Sequence, residues 1–466
     1  MSQGHRKILF LLSVATLIDT MGFSAIFGYL PKLIQSFGIE VTQVGFYQGA
    51  FNAELLTVTC LALGIYTCTL ASYDASRTFV VLSLFQVVVF ILMSFTQTAA
   101  WVAIMFFFLA FTRILRPVID KLLFGIVSER NQAQYVNYVV SAPYNAALFL
   151  GPAIGGALLF PTEQFPKVFP KTLSLLKKYP IFLANMSFAA MSLVIAMLGL
   201  WILKYKRFYP DDEREEENNL LPRKTHLLKS VLANRDIQIT IAATMLHSIA
   251  HNGYINLFSL WLQTPSNMGG LGYTPAQAGV LNFVAGILVI IFDLLLVGRS
   301  INWLGVKRGI QFWTVITIFS ISNQVLLSQV GEQTFFTGAR GKFKFFGAAV
   351  MMCITRLGTT GYKITTYLIL YNLIPANFIG EAMSLRTKLA YGCDAIGHLV
   401  SGSIFSWSLT NEKSYEETSI MGFPFNHYFT FYVLSAILLI SMVLQTRLSI
   451  DVEKRNETIC TDIDLS

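Results

Sequence analysis

The sequence has 466 residues, of which 54% are hydrophobic and only 13% are charged, and its mean hydropathy is +0.57. Soluble globular proteins carry about 25% charged residues, so this composition excludes a single water-facing fold. The formal net charge of +8 fits lysines and arginines held in cytoplasmic loops, and the absence of a basic tract interleaved with aromatic residues argues against nucleic-acid binding.

Long apolar runs follow one another along the chain. A helix needs about 20 apolar residues to cross a bilayer core of about 30 Å, and this length predicts about twelve spans. They lie at 8–31, 44–71, 78–97, 99–127, 134–160, 180–204, 236–264, 276–298, 308–329, 345–374, 380–409 and 426–446. We therefore predict an all-α membrane protein of two six-helix bundles, 1–204 and 236–466, joined by a cytoplasmic loop at 205–235.

The distribution of lysine and arginine predicts the orientation. With a cytoplasmic N-terminus, the inside segments hold about twice as many of these residues as the outside loops, as the positive-inside rule requires. Both termini, including a short C-terminal tail, are therefore expected in the cytoplasm. Residues 216–221 of the central loop match an acidic dileucine signal for vacuoles or lysosomes, although a solvated linker explains them equally well. A vacuolar, lysosomal or plasma membrane is expected.

Charged residues inside the first six runs are candidates for function, because burying a charge in a bilayer costs several kcal/mol. Asp19 could carry a proton or anchor the first helix through hydrogen bonds. Glu54, in the second run, could carry a proton or pair with a cation. Arg113 and Arg116 interrupt the fourth run, where they could bind an anionic group in a substrate cavity or mark the helix leaving the membrane. Arg116 and Asp120 are spaced i,i+4 and can pair.

The seventh run contains two histidines at helical spacing, His247 and His251, with Asn252 directly after them. Two histidines one turn apart can hold a metal ion or a proton, or they can form a polar cavity lining. Since no third ligand is visible nearby, we predict the polar lining and no metal ion or other cofactor.

Further charged residues interrupt the tenth and eleventh runs. Arg356 and Lys363 lie in the tenth run, and Asp394 and His398 lie i,i+4 on one face of the eleventh. Internal ion pairing explains these residues, and direct contact with a substrate is the sharper alternative. Neither a GxSxG nor an HExxH pattern occurs, so an enzyme is not expected.

The fifth run contains Gly151, Pro152, Gly155 and Gly156 in the pattern GPxxGG. Taken alone this is a packing device, because proline bends the helix and glycines let a neighbouring helix approach. In the fifth of twelve predicted helices, however, it resembles motif C of the drug:proton antiporters of the major facilitator superfamily. Other segments also resemble that group, the last two especially its fungal and plant members such as the zinc-induced facilitator-like proteins: 19–31, 302–308, 401–408 and 422–426.

This resemblance implies a secondary transporter that moves a small organic solute by alternating access, with proton coupling through Asp19 or Glu54. The implied partners are the solute, protons and the lipid bilayer, and the implied state is a monomer. The loop at 71–77 departs from the family, because it lacks a glycine and its Asp is displaced. This departure favours an alternative, a transporter-like receptor or assembly partner without turnover.

Overall fold

The structure is a computed structural model that describes residues 3–67, 73–124, 126–127, 135, 137–169, 174–206, 233–330, 338–374, 379–418 and 424–449. Within these ranges the regular structure is helical. Helices of ten or more residues are α1 Gln3–Ser36, α2 Val41–Ile65, α3 Ala75–Met93, α4 Ala99–Thr112, α5 Leu115–Phe124, α6 Ala142–Leu158, α7 Phe182–Lys206, α8 Arg235–Gln263, α9 Pro275–Phe292, α10 Gly298–Asn323, α11 Gly338–Leu373, α12 Ile379–Thr418 and α13 Phe429–Thr446. Most of the central loop, with its dileucine segment 216–221, lies outside the described residues.

Long apolar helices confirm the all-α membrane class. Among the described residues, seven helical stretches are long and apolar enough to cross a membrane: Arg6–Ser36, Val41–Ile65, Ala75–Met93, Ala99–Leu123, Phe182–Trp201, Pro275–Leu327 and Phe429–Thr446. The stretch Pro275–Leu327 covers two predicted runs. Helices α6, α8, α11 and α12 occupy the other predicted runs. Helix α6 has only 17 residues, and α8, α11 and α12 carry many of the polar residues singled out above, which lower their average hydropathy.

Two helices are broken where the sequence predicted a charged interruption or a loop. The fourth predicted run forms α4 and α5, and Arg113 is the C-terminal cap residue of α4. Within α10, Gly305 has φ 76° and ψ 176°, a backbone conformation that glycine adopts without steric cost. This residue lies in the segment 302–308 that was predicted to connect the eighth and ninth spans.

By their internal contacts, the helices form two compact units. Unit 1 is Met1–Pro210 with Phe258–Gly286, and unit 2 is Asp211–Leu257 with Ile287–Ser466. In unit 1, α1 packs on α6 and α3 packs on α7, whereas in unit 2 α10 packs on α11 and α13. The segment Phe258–Gly286 thus groups with the first unit, and the bundle limits at 204 and 236 stay a prediction.

The GPxxGG segment is a close-packing surface of unit 1. A Cβ atom placed on Gly151 would collide with the hydroxyl of Ser24 and the backbone of α1. A Cβ on Gly155 would lie 2.8 Å from the Cβ of Ala25, and one on Gly156 would collide with the carbonyl of Pro275. Side chains at these positions would therefore push α6 away from α1 and from the start of α9.

Candidate functional site

Three helices of unit 1 bring a buried carboxylate and a guanidinium together. Nη1 of Arg113 lies 3.0 Å from Oδ2 of Asp19. The side-chain amide of Gln86, on α3, donates to Oδ1 of the same carboxylate at 3.1 Å. The side chains of Arg113 and Asp19 are only 9% and 3% exposed, so both charges are removed from solvent. The guanidinium also lies 4.2 Å from the ring centre of Phe23, a favourable cation–π contact.

This arrangement couples the charge of Asp19 to the position of Arg113. A buried ion pair is stable only while both charges are present, because one partner alone is an uncompensated charge in a low-dielectric interior. Protonation of Asp19 would therefore leave the Arg113 guanidinium without its anionic partner.

The remaining candidates of unit 1 lie apart from this hydrogen-bonded group. Glu54 is half-buried on α2, and the contacts of Asp19 described above do not include it. Nε of Arg116 lies 3.7 Å from Oδ1 of Asp120, with the two side chains 26% and 36% exposed. The guanidinium of Arg116 also lies 5.2 Å from the ring centre of Tyr144. This second pair is thus local to one helix and partly solvated.

In unit 2, Asp394 is the centre of a polar cluster. The side-chain amide of Asn252 donates a hydrogen bond to Oδ1 of Asp394, and the hydroxyl of Ser248 also hydrogen-bonds this carboxylate. The Lys363 ammonium interacts with Asp394 electrostatically. Helices α8, α11 and α12 each contribute to the cluster, which combines a carboxylate, an ammonium and neutral donors.

The histidines of α8 are buried beside this cluster. The ring of His247 stacks on that of Tyr362 at 3.6 Å between centroids, and Nδ1 of His251 lies 2.9 Å from the hydroxyl of Thr359. The two imidazole rings are 6.3 Å apart. Within the described part of the chain, no group of three or more His, Cys, Asp and Glu residues is placed to hold a metal ion.

The other two candidates of unit 2 have different surroundings. Arg356 is close enough to interact electrostatically with His251 and Tyr254. His398 is buried, and its backbone carbonyl accepts from the side chain of Asn256 at 3.2 Å. His398 is thus held at the α8–α12 packing surface, while Arg356 belongs to the same charged surroundings as Lys363.

The comparisons decide the family. Residues 12–398 match the family model described as Major Facilitator Superfamily. The chain belongs to the major facilitator superfamily.

Its relatives within the superfamily include plant proteins. The Arabidopsis thaliana protein ZINC INDUCED FACILITATOR-LIKE 1 is 25% identical over 455 residues, which cover 94% of this chain and 90% of the relative. An Arabidopsis thaliana protein named "Probable peptide/nitrate transporter" is 23% identical over 457 residues, covering 94% and 91%. The predicted resemblance to the zinc-induced facilitator-like proteins is therefore confirmed.

A solved superfamily structure has the same fold. The inward-facing, unoccupied crystal structure of a bacterial homologue of the human lysosomal transporter Spinster matches with a TM-score of 0.70 at 12% identity, covering 96% of this chain and 97% of that one. This likeness supports the twelve-helix, two-bundle fold of the superfamily.

Some residues of the Asp19 group in unit 1 and of the Asp394 cluster in unit 2 were not predicted from the sequence. Gln86 and Ser248 were not predicted because they are neutral, and a search for charged residues in apolar runs does not consider amides and hydroxyls. Arg386, on α12, interacts electrostatically with Lys363. It was not predicted because it lies near the start of the eleventh predicted run, where a basic residue is typical of a cytoplasmic helix end. A count of buried polar residues of every type on each helix would have found the first two.

Proposed function

We propose that this superfamily member is a proton-coupled secondary transporter that moves a small organic solute by alternating access, with Asp19 as the proton carrier. The observation that carries the proposal is the buried pair of Asp19 and Arg113, 3.0 Å apart. Ionisable residues inside membrane spans commonly form proton relays in transporters. The name of one plant relative, a probable peptide/nitrate transporter, refers to small solutes and supports the substrate size.

The proposed coupling follows from the electrostatics of the pair. When Asp19 is ionised, the ion pair ties α1 to the end of α4. When Asp19 takes up a proton, Arg113 loses this partner, and an arrangement of helices that offers the guanidinium other partners becomes favoured. Proton binding and release on opposite sides of the membrane would then bias the chain between its two open states.

One observation favours the alternative function, a transporter-like receptor or assembly partner without turnover. In the described part of the loop between α2 and α3, Asp74 accepts from the backbone N–H of Ser76 at 3.0 Å and lies 3.7 Å from Arg77. The Arg77 side chain is 81% exposed. These polar groups engage one another within a single turn, so this loop has a local capping role that needs no transport cycle. Residues 71 and 72 lie outside the described residues.

The proposed setting is a monomer in a vacuolar, lysosomal or plasma membrane with both termini in the cytoplasm. The cytoplasmic orientation of both termini is supported by the positive-inside distribution of lysine and arginine. A cysteine-labelling experiment on the tail beyond residue 450, in sealed vesicles, tests the orientation.

The function is tested with the purified full chain in proteoliposomes that contain a pH-sensitive dye. Organic anions, organic cations, sugars and amino acids are added outside in turn, and proton movement and uptake of labelled solute are measured together. Transport of one class with accompanying proton movement is expected. Uptake without proton movement would contradict the coupling, and no uptake of any class would favour the receptor-like alternative.

A further inference from the structure

The segment that joins α6 to α7, residues 159–181, is rich in lysine. The structure describes 159–169 and 174–181 of it. The whole segment contains four lysines and a single acidic residue, Glu163. In the predicted orientation it lies on the non-cytoplasmic side of the membrane, where lysines between spans are uncommon. The lysines therefore call for a local role.

Hydrogen bonds hold this segment against the end of α6. The backbone N–H of Phe160 donates to the carbonyl of Pro180 at 3.0 Å, which closes the base of the segment. Phe160 has φ 47° and ψ 52°, a left-handed conformation that is uncommon outside glycine, so the chain turns sharply after α6. The side-chain amide of Gln164 then donates back to the carbonyl of Gly156 at 2.9 Å. The short helix Pro161–Gln164 is thus fixed at the end of a span.

A cluster of aromatic rings sets the depth of the segment. The ring of Phe95, which follows the span Ala75–Met93, lies 5.3 Å from that of Tyr179 and 5.7 Å from that of Phe182. The indole N–H of Trp101, in the first turn of α4, donates to a carbonyl of α3 at 3.2 Å. Phe95 and Trp101 are both exposed. Exposed aromatic residues at the ends of spans are typical of the membrane–water boundary, which places Tyr179 at the level of the lipid headgroups.

Three large apolar side chains of the segment are exposed, although they lie outside the spans. Phe165, Val168 and Leu175 are 43%, 68% and 47% exposed. Apolar surface is stabilised when it leaves water. The bilayer boundary beside Tyr179 is an apolar environment at the same end of α6 and α7, and it would cover these side chains.

The lysines of the described part lie between these apolar positions in sequence. Lys167, Lys177 and Lys178 are all exposed, and the ammonium of Lys178 lies 5.2 Å from the ring centre of Tyr179. This positive charge is therefore at headgroup level as well. Apolar and aromatic residues combined with lysines are typical of segments that lie in the membrane interface and bind anionic lipids.

We propose that this segment is an interfacial anchor that binds anionic phospholipids in the leaflet at this end of α6 and α7. Phe165, Val168 and Leu175 enter the boundary between headgroups and acyl chains. Lys167, Lys177 and Lys178 bind the lipid phosphates through charge-assisted hydrogen bonds. The anchor holds the ends of two spans at a fixed depth, and it does not depend on the proton coupling proposed for Asp19.

The first test is thermal unfolding of the purified full chain in nanodiscs of phosphatidylcholine, with and without phosphatidylglycerol. Phosphatidylglycerol is expected to raise the unfolding temperature, because it binds the folded state, and salt should weaken this effect. The triple variant Lys167→Gln, Lys177→Gln and Lys178→Gln should lose most of it, since each lysine near an anionic surface strengthens the attraction about fivefold.

A second triple variant is the matched control. Arg340→Gln, Lys342→Gln and Lys413→Gln remove the same charge from exposed positions of α11 and α12. This variant should keep the stabilisation by phosphatidylglycerol. Inorganic phosphate, added to nanodiscs of phosphatidylcholine alone, should not replace the anionic lipid.

The second test measures depth directly. A nitroxide is attached to Val168→Cys in a chain whose native cysteines are replaced by alanine, and its collisions with oxygen and with a water-soluble nickel chelate are compared. Labels at Leu193→Cys, on an exposed position of α7, and at Lys413→Cys, beyond the predicted end of the eleventh span, are the lipid and water references. The Val168 label should favour oxygen more than the Lys413 label does, and phosphatidylglycerol should increase this preference.

Every other outcome overturns the anchor. A Val168 label as accessible to the chelate as the Lys413 label shows a segment in water, and one shielded from both reagents shows a protein partner or a second copy. Equal unfolding temperatures with and without phosphatidylglycerol, an equal loss in the two triple variants, or an equal effect of free phosphate contradicts lipid binding by these lysines. If the chain without cysteines does not fold, the unfolding experiment decides alone.

Discussion

Arg113 and Asp19 are 94 residues apart in sequence, and their side chains meet at 3.0 Å in the interior of unit 1. Both side chains are less than one-tenth exposed, and Gln86 occupies the other carboxylate oxygen. The pair therefore differs from the ion pair of Arg116 and Asp120, which is 3.7 Å long and partly solvated. Substitutions of Arg113 and Arg116, which lie in the same interrupted span, should therefore differ in their effect on stability.

Arg113→Gln is expected to destabilise the folded chain by about 3–5 kcal/mol, because it leaves the Asp19 carboxylate buried without its cation. Arg116→Gln should cost at most about 1 kcal/mol, since exposed pairs contribute little. Equilibrium unfolding in mixed micelles measures both changes. In the double variant Asp19→Asn and Arg113→Gln, part of the loss should be recovered. Equal losses in the two single arginine variants would contradict the structural assignment.

Gly151→Ala is expected to destabilise the chain by about 1–3 kcal/mol, a typical cost of overpacking a tight contact. The added methyl group would meet the hydroxyl of Ser24 and the backbone of α1. Gly64→Ala is the matched control, because it also lies in a helix and a Cβ there would meet nothing within 4 Å. It should be neutral or stabilising, as alanine favours helices. If both variants unfold at the same temperature, the close contact of α6 and α1 is wrong.

The pair formed by Glu412 and His427 should make stability depend on pH. Glu412 lies beyond residue 409, where the eleventh predicted span ends, and His427 precedes the span Phe429–Thr446. Nδ1 of His427 lies 2.7 Å from Oε2 of Glu412. Burial raises the pKa of Glu412, but the hydrogen bonds and charge of His427 lower it by more, so the pKa lies below its ordinary value.

A carboxyl whose pKa is lowered by folding contributes stability above its unfolded pKa, about 4.3, and this contribution is lost as pH falls through the folded value. The unaltered chain should therefore lose more thermal stability between pH 6 and the folded pKa of Glu412 than Glu412→Gln does. Glu163→Gln, in the short helix Pro161–Gln164, provides the control for loss of one carboxylate. Parallel pH profiles for the chain and Glu412→Gln would contradict this role of the pair.

Most of the fold was predictable because its signals are local. A run of about 20 apolar residues is a property of adjacent positions, and the family resemblance at Gly151 and Pro152 needs only the order of residues. Helix ends were less predictable. The helix α12 runs to Thr418, beyond the predicted end at 409, because a helix can continue past the bilayer without an apolar sequence.

The site was only partly predictable, since spacing fixes contacts within a helix but not between helices. The pairing of Arg116 with Asp120 follows from i,i+4 geometry and is present in the structure. Asp19 and Arg113 were separate candidates, and their partnership depends on how α1 packs near the end of α4. The grouping of Lys363 with Asp394 and Arg386 likewise required three-dimensional packing.

The central claim is that Asp19 carries the coupled proton, and its most direct test compares Asp19→Asn with Glu54→Gln in proteoliposomes. Solute accumulation driven by a pH gradient, and solute exchange at equal pH, are measured on the same preparations. We expect Asp19→Asn to lose pH-driven accumulation while exchange continues, which also shows that the variant is folded, and Glu54→Gln to retain both. Accumulation with full pH dependence in Asp19→Asn would contradict the claim.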